Sequence, residues 1–159
     1  MPFGDDISLD VQGMEGIETK LLEMGDVWSR EAVHQALTPA GRILQGAITA
    51  LAPIRTDDGR GSDALPPGKL KGDIVMEVFQ KTVVVGPSRD TSYVAGWVEF
   101  GHALVRGGRR KKGGSVVGHV PPHPFIRPAF DTAIEPAIQA FVDSLTAQLE
   151  AVTPAERTK

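Results

Sequence analysis

Residues 74–87 read IVMEVFQKTVVVGP, and this stretch decides how the rest of the chain is organised. Its first six residues have the two-residue period of a strand, with two alternating faces: Ile74, Met76 and Val78 on one, Val75, Glu77 and Phe79 on the other. A β-branched run from Thr82 to Val85 follows the short connection at residues 80–81 and ends at a Gly-Pro pair. We therefore predict a β-hairpin, which the helical segments around it would cover.

The segment before the hairpin is mostly helical in pattern. Residues 26–52 carry apolar side chains at helical spacing, but Pro39 lies inside the run and lacks an N–H to donate. Because Thr38 and Pro39 could also cap a new helix, the pattern leaves open one kinked helix or two. Residues 7–11 predict a short strand and residues 14–24 a short helix.

The segment after the hairpin predicts a short helix, an arm and a long helix. Residues 92–101 fit a helix ended by Gly101 in the left-handed αL conformation, with a strand as the alternative. Residues 102–119 fit two short strands around a basic tip, or a disordered loop. The four prolines of residues 120–128 predict a stiff extended lead-in. A C-terminal helix follows, with a kink or restart at Pro136.

These elements predict an α+β fold, in which a small antiparallel β-sheet is flanked by helices and carries a long C-terminal helix and a basic hairpin arm. At 159 residues the chain suits one domain, which we place at residues 1–152. Within it, residues 54–68 are rich in Gly, Pro and Asp and predict a surface loop. Residues 153–159 predict a frayed tail.

Charge is unevenly distributed along the chain. The formal net charge is only -3, from 17 Lys and Arg against 20 Asp and Glu. Residues 1–31 net -6, whereas residues 101–119 contain five bases and no acid: Arg106, Arg109, Arg110, Lys111 and Lys112. This segregation predicts complementary contacts between copies or partners, or a basic arm that binds nucleic acid. A solvated, mobile loop is the simpler interpretation.

Composition and motifs argue against several classes of function. There is no cysteine, which excludes disulfides and thiolate chemistry. No apolar run reaches the ~20 residues that span a bilayer, and the acidic start of the chain does not resemble a signal peptide. His119 and His123 have helical ligand spacing, but Pro121 and Pro122 between them forbid a helix. Phosphate-loop, dinucleotide and nucleophile-elbow motifs are also lacking. We therefore expect no enzyme, no metal and no cofactor.

Two segments have compositions typical of contact surfaces. In YVAGWVEFGH, residues 93–102, three aromatic residues surround a single acid, which could pair with a basic group of another subunit. The simpler interpretation packs Trp97 and Val98 against the sheet. In PPHPFIRPAF, residues 121–130, the prolines would stiffen an extended contact or merely set the direction of the helix. The candidate interface residues are Tyr93, Trp97, Glu99, Phe100, Pro122, His123, Phe125 and Arg127.

These segments and their surroundings resemble the minor tail-component family of long-tailed bacteriophages. The resemblance follows the chain from the strand ending in Val11 and Gly13, through AGRILQGAITALAP, the Gly68–Leu70 element and VVVGP, to WVEFG at 97–101 and PPHPFIRPAFD at 121–131. The last two motifs are the specific ones. The chain departs from the family pattern in a long loop before Leu70 and in the long basic loop over residues 102–120.

The resemblance implies a structural protein of the virion neck with a fold like that of tail terminators. Such proteins act in tail completion and head–tail joining, often as a hexameric ring between the tail tube and the head connector, with DNA passing through the lumen. The protein would be assembled in the host cytoplasm and reside in the virion. The resemblance leaves open the subunit count and whether the ring is a terminator, a stopper or a joining ring.

The basic arm would contact a neighbouring subunit, another neck protein or, transiently and non-specifically, the DNA. The alternative function is a nucleic-acid-binding module that acts through residues 106–112.

Overall fold

The computed structural model describes Thr19 and residues 26–55, 65–79, 81–106 and 114–152. In chain order, the elements are α1 (Asp26–Leu51), α2 (Lys69–Gly72), β1 (Ile74–Phe79), β2 (Thr82–Pro87), α3 (Ser92–Phe100), β3 (His102–Arg106), β4 (Ser115–Val120) and α4 (Ile126–Val152). The predicted α+β class and the long C-terminal helix are confirmed. The predicted strand at 7–11, most of the helix at 14–24 and the tail at 153–159 lie outside the described residues.

The two long helices, α1 and α4, pack against each other in antiparallel orientation. The start of α1 meets the end of α4, in a buried cluster of Ala32, Ala36, Leu145 and Leu149. The end of α1 meets the start of α4, where Ile48 packs with Ala129. Alanine at three of these six sites lets the helix axes approach closely, and tertiary packing of this kind stabilises a helix more than its intrinsic propensity does.

Both long helices run through a proline without interruption. Pro39 lies inside α1 and Pro136 inside α4, so residues 26–51 form one helix rather than two. An interior proline costs about 3 kcal/mol through its lost hydrogen bond and steric clash. The buried alanines on either side of each proline, Ala36 and Ala40 in α1 and Ala133 and Ala137 in α4, provide packing that offsets this cost.

The β1–β2 hairpin lies on α1 as the alternating pattern predicts. Met76 pairs with Val85 and Val78 with Val83, and these four side chains are partly buried, whereas Val75, Glu77, Phe79 and Val84 are exposed. The hairpin approaches α1 at Gly41, where a β-carbon would lie 2.5 Å from Met76 Sδ and 2.6 Å from Val83 Cγ2. Only glycine fits this contact without displacing the hairpin.

The predicted small antiparallel sheet and the two strands of the predicted hairpin arm are both present. Within the described residues, the strands form two separate two-stranded antiparallel sheets, β1–β2 and β3–β4. In the second, His102 pairs with Val120 at the base, and the register shifts between Leu104 and Val105. The strands favour the hairpin arm over the disordered loop, while the arm's tip, residues 107–113, lies outside the described residues.

Two local predictions need correction, and one helix was not predicted. The last helix begins at Ile126, not after Pro128, because a proline in the first turn has no intrahelical bond to lose. The short helix α2 follows the predicted 54–68 loop and was not predicted. Gly101 ends α3 with φ 73° and ψ 171°, so its φ is left-handed but its ψ is extended rather than αL.

Among the described helices, none is long and apolar enough to cross a membrane.

Candidate functional site

The two segments predicted to form contacts meet in space at a junction between α3 and α4. Glu99, near the end of α3, is only 5% exposed. Its Oε2 accepts hydrogen bonds from the backbone N–H groups of Phe125 at 2.8 Å and Ile126 at 3.0 Å, and its Oε1 accepts one from Arg127 at 3.3 Å. These N–H groups open α4 and have no partner within the helix. The carboxylate therefore caps α4, and its negative charge faces the positive end of the helix dipole.

A second set of contacts fixes the same junction from the other side. The backbone N–H of His123 donates to the carbonyl oxygen of Val98 at 2.8 Å, which ties the proline-rich lead-in to α3. At Gly101 a β-carbon would lie 2.6 Å from the Val120 carbonyl oxygen and 2.9 Å from the Pro122 nitrogen. The end of α3, the base of the arm and the lead-in thus converge on one glycine.

Two of the predicted interface residues lie inside the chain. Phe125 is 1% exposed and belongs to the core cluster with Ile48, Leu70 and Ala95. The sequence suggested that Glu99 could pair with a basic group of another subunit; in the structure its carboxylate is buried and caps α4. The sequence around Phe125 did not show whether this ring lies on the surface or in the core, because both kinds of aromatic residue occur beside prolines.

The aromatic residues of α3 form a surface instead. Tyr93, Trp97 and Phe100 are 48%, 49% and 64% exposed. The rings of Tyr93 and Trp97 meet edge to face with centroids 5.2 Å apart, and Trp97 also lies 5.3 Å from the imidazole of His102. The prediction that Trp97 packs into the sheet core is therefore wrong, whereas Val98 does pack against the core.

The remaining predicted interface residues flank this aromatic surface. The Arg127 guanidinium carbon lies 5.6 Å from the centroid of the Phe100 ring, a cation–π distance, and its side chain is exposed. Pro122 and His123 are exposed on the lead-in. The structure thus places six of the eight predicted interface residues on the surface and the other two, Glu99 and Phe125, in the buried junction.

An apolar groove runs beside α3 and was not predicted. It has a volume of about 660 Å³ and lies between α3, the segments on either side of residues 56–64, and the base of the arm; its walls include Ile54, Leu70, Tyr93, Trp97, His102 and Val120. The Nδ1 atom of His102 is buried there without a hydrogen-bond partner among the described residues. Sequence reasoning missed the groove because its walls come from four distant segments.

The β3–β4 arm presents aliphatic side chains to solvent. Leu104, Val105, Val116 and Val117 are 45%, 54%, 68% and 58% exposed. Arg106 ends β3, so the backbone places it at the start of the tip. The other four predicted basic residues, Arg109, Arg110, Lys111 and Lys112, lie outside the described residues.

A polar network holds the start of α3. The Asp73 carboxylate accepts hydrogen bonds from Ser88 Oγ, from Lys69 Nζ at 3.1 Å and from Thr91 Oγ1 at 3.0 Å. The Ser88 hydrogen bond, followed by those of Lys69 and Thr91, lowers the pKa of Asp73 below its ordinary value. Over the described part of the chain, no group of three His, Asp or Glu side chains is arranged to hold a metal ion.

Comparison with known proteins adds no assignment. No family model, no curated protein and no solved structure matches this chain. The functional argument therefore rests on the residues and geometry described above.

Proposed function

We propose that this chain is a structural subunit of the bacteriophage neck. In this proposal, copies of the chain form a hexameric ring at the head-proximal end of the tail. The ring completes the tail and joins it to the head connector, and DNA passes through its lumen. The protein acts by assembly rather than by catalysis.

The observation that carries the proposal is the pair of unlike apolar surfaces on one chain. The groove beside α3 is concave and aromatic, whereas the arm is a projecting hairpin with four exposed aliphatic side chains. Exposed apolar patches of this kind are typical of interaction sites. Because the two surfaces differ, contacts between them are head-to-tail, and such contacts generate rings when the rotation between subunits closes.

The phage assignment is supported by the two specific motifs of the resemblance. WVEFG and PPHPFIRPAFD are separated in sequence by the variable basic segment, yet Glu99 of the first caps the helix that opens in the second. A physical coupling of this kind gives a reason for the two motifs to occur together. It favours treating them as one structural unit rather than as two chance matches.

The same proposal assigns partners to the remaining surfaces. The neighbours are the tail tube protein on one side and the head connector, stopper or adaptor on the other. The basic tip residues would contact an acidic neck protein or a neighbouring subunit, with only weak contact to passing DNA, since tight phosphate binding would impede transit.

Negative-stain microscopy of the purified chain mixed with purified phage tails that lack their head-proximal ring tests the proposal. We expect an annular density at one end of each tail, absent when the tails are imaged alone. A chain that neither forms rings nor binds tails or connectors would refute it.

A further inference from the structure

We propose that the groove beside α3 is the docking site for the β3–β4 arm of a second copy of this chain. This inference rests on the proposed function, because it names the contact through which the ring would close. It adds the two surfaces involved, the direction of the contact and the residues at its centre.

The groove has the chemistry of an acceptor for aliphatic side chains. Tyr93 and Trp97 line it with about half of each side chain exposed, and Ile54, 53% exposed, lines it as well. Large aromatic side chains that remain half exposed in the single chain gain the most from a partner that removes them from water. The volume of about 660 Å³ accommodates several aliphatic side chains of a partner strand.

The arm has the chemistry of the matching donor. Two-stranded sheets are at best marginally stable alone in water, and within the described residues β3 and β4 pair only with each other. The aliphatic residues of the arm, Leu104, Val105, Val116 and Val117, are all exposed. A hairpin that exposes this many aliphatic side chains is completed by a hydrophobic acceptor.

The groove of the same chain is not available to this arm. His102 and Val120 form the register pair at the base of the arm, and both also line the groove. The arm therefore starts at the wall of its own groove, but its four exposed aliphatic residues are not among the residues that line the groove. Within the part of the chain that the structure describes, nothing fills the groove and nothing covers the aliphatic residues of the arm, and a second copy satisfies both.

Charge favours a second copy over an unrelated partner. The segment at 101–119 nets +5, and the rest of the chain nets -8. The solvent side of α4 contributes to this, since Asp131, Glu135, Asp143 and Glu150 are exposed and no Lys or Arg follows Arg127 before the helix ends. The body of one copy therefore attracts the arm of another.

Cross-linking between singly substituted chains tests the contact directly. The chain has no cysteine, so engineered thiols are unique. Tyr93→Cys places one at the groove and Ser115→Cys places one on the arm; a short bismaleimide is added to a mixture of the two chains. We expect heterotypic product, identified by mass spectrometry of the linked peptides. Glu31→Cys, exposed at the far end of α1, is the matched control and should give no product with Ser115→Cys.

Each other outcome overturns the proposal. Homotypic product at either position alone would indicate a symmetric dimer contact. Linkage within a monomer of the doubly substituted chain would show that the arm fills its own groove. If the chains assemble but neither engineered thiol forms a cross-link, another surface or a different protein occupies the groove.

A pair of charge substitutions provides a second measurement that does not depend on cross-linker geometry. Val116→Glu on the arm should shift the chain to monomer in native mass spectrometry. Val84→Glu, at a 53% exposed valine of the other hairpin, should leave the oligomer intact. An oligomer unaffected by Val116→Glu overturns arm docking but leaves ring formation standing, whereas a wild-type monomer overturns both. Rings that cross-link as expected but do not bind phage tails would refute only the phage function.

Discussion

The Glu99 carboxylate lies 2.8 Å from the backbone nitrogen of Phe125, and this hydrogen bond joins two segments 26 residues apart in sequence. It fixes where α4 begins and holds the proline-rich lead-in beneath α3. The exposed aromatic residues of α3 and the base of the arm are thereby set at defined positions relative to each other. If this junction were mobile, the groove beside α3 and the β3–β4 arm would have no fixed position relative to each other, and the proposed assembly needs both.

Replacing Glu99 with alanine should destabilise the fold. Three N–H groups at the start of α4 would lose their acceptor in a buried setting, and the expected cost is about 1–3 kcal/mol. Urea denaturation followed by circular dichroism measures the change. Glu135→Ala, at an exposed acid of the same helix, is the control and should stay within about 0.5 kcal/mol of wild type. Equal effects of the two substitutions would contradict the capping role.

Two glycines of α1 should respond to alanine in opposite directions. Gly41→Ala would push a methyl group into Met76 and Val83, and overpacking of this kind costs about 1–3 kcal/mol. Gly46 has no atom within 4 Å of its would-be β-carbon, so Gly46→Ala should stabilise the helix by up to about 1 kcal/mol. Thermal denaturation of both variants compares them, and a stabilising Gly41→Ala would show that the hairpin does not pack closely on α1.

The stability contribution of Asp73 should depend on pH. Its pKa is depressed below the ordinary value of 3.8, chiefly by the Ser88 hydrogen bond and then by Lys69. A depressed carboxyl pKa stabilises the folded state above the unfolded value, and this stabilisation is lost as the pH falls through the folded value. Asp73→Asn should therefore melt below wild type at neutral pH, and the difference should shrink in acid. A destabilisation by Asp73→Asn that is the same at neutral and at acid pH would contradict this role.

The basic tip should act on assembly through charge. Replacing Arg109, Arg110, Lys111 and Lys112 by alanine should weaken association, and raising the salt concentration should weaken the wild-type oligomer in the same way. Analytical ultracentrifugation over a salt series measures both effects. Tight, salt-dependent DNA binding by the wild-type chain that disappears in the alanine variant would instead favour the nucleic-acid-binding alternative.

Local sequence patterns predicted most of the elements because their side-chain periods are local properties. The alternation at 74–79 fixed the faces of β1, and helical spacing located α1, α3 and α4. The sequence could not decide whether Pro39 divides α1, since that depends on the packing of α1 against α4. Nor could it predict whether the strands of the arm pair with the β1–β2 hairpin, because strand pairing between distant hairpins is not encoded in either hairpin alone.

The candidate surface was predictable only in part, for a related reason. Aromatic residues in YVAGWVEFGH correctly indicated an unusual segment, but their spacing did not tell which ring faces water. Glu99 was identified as exceptional, yet its partners are backbone N–H groups, which carry no sequence signal. The groove combines side chains from four segments, so only the folded chain brings Ile54, Trp97 and Val120 together.

The mass of the wild-type assembly in native mass spectrometry tests the central claim most directly. The account predicts one closed oligomer, expected to be a hexamer, that persists on dilution because a ring makes two contacts per subunit. A strictly monomeric chain of 17.0 kDa at every concentration would contradict it.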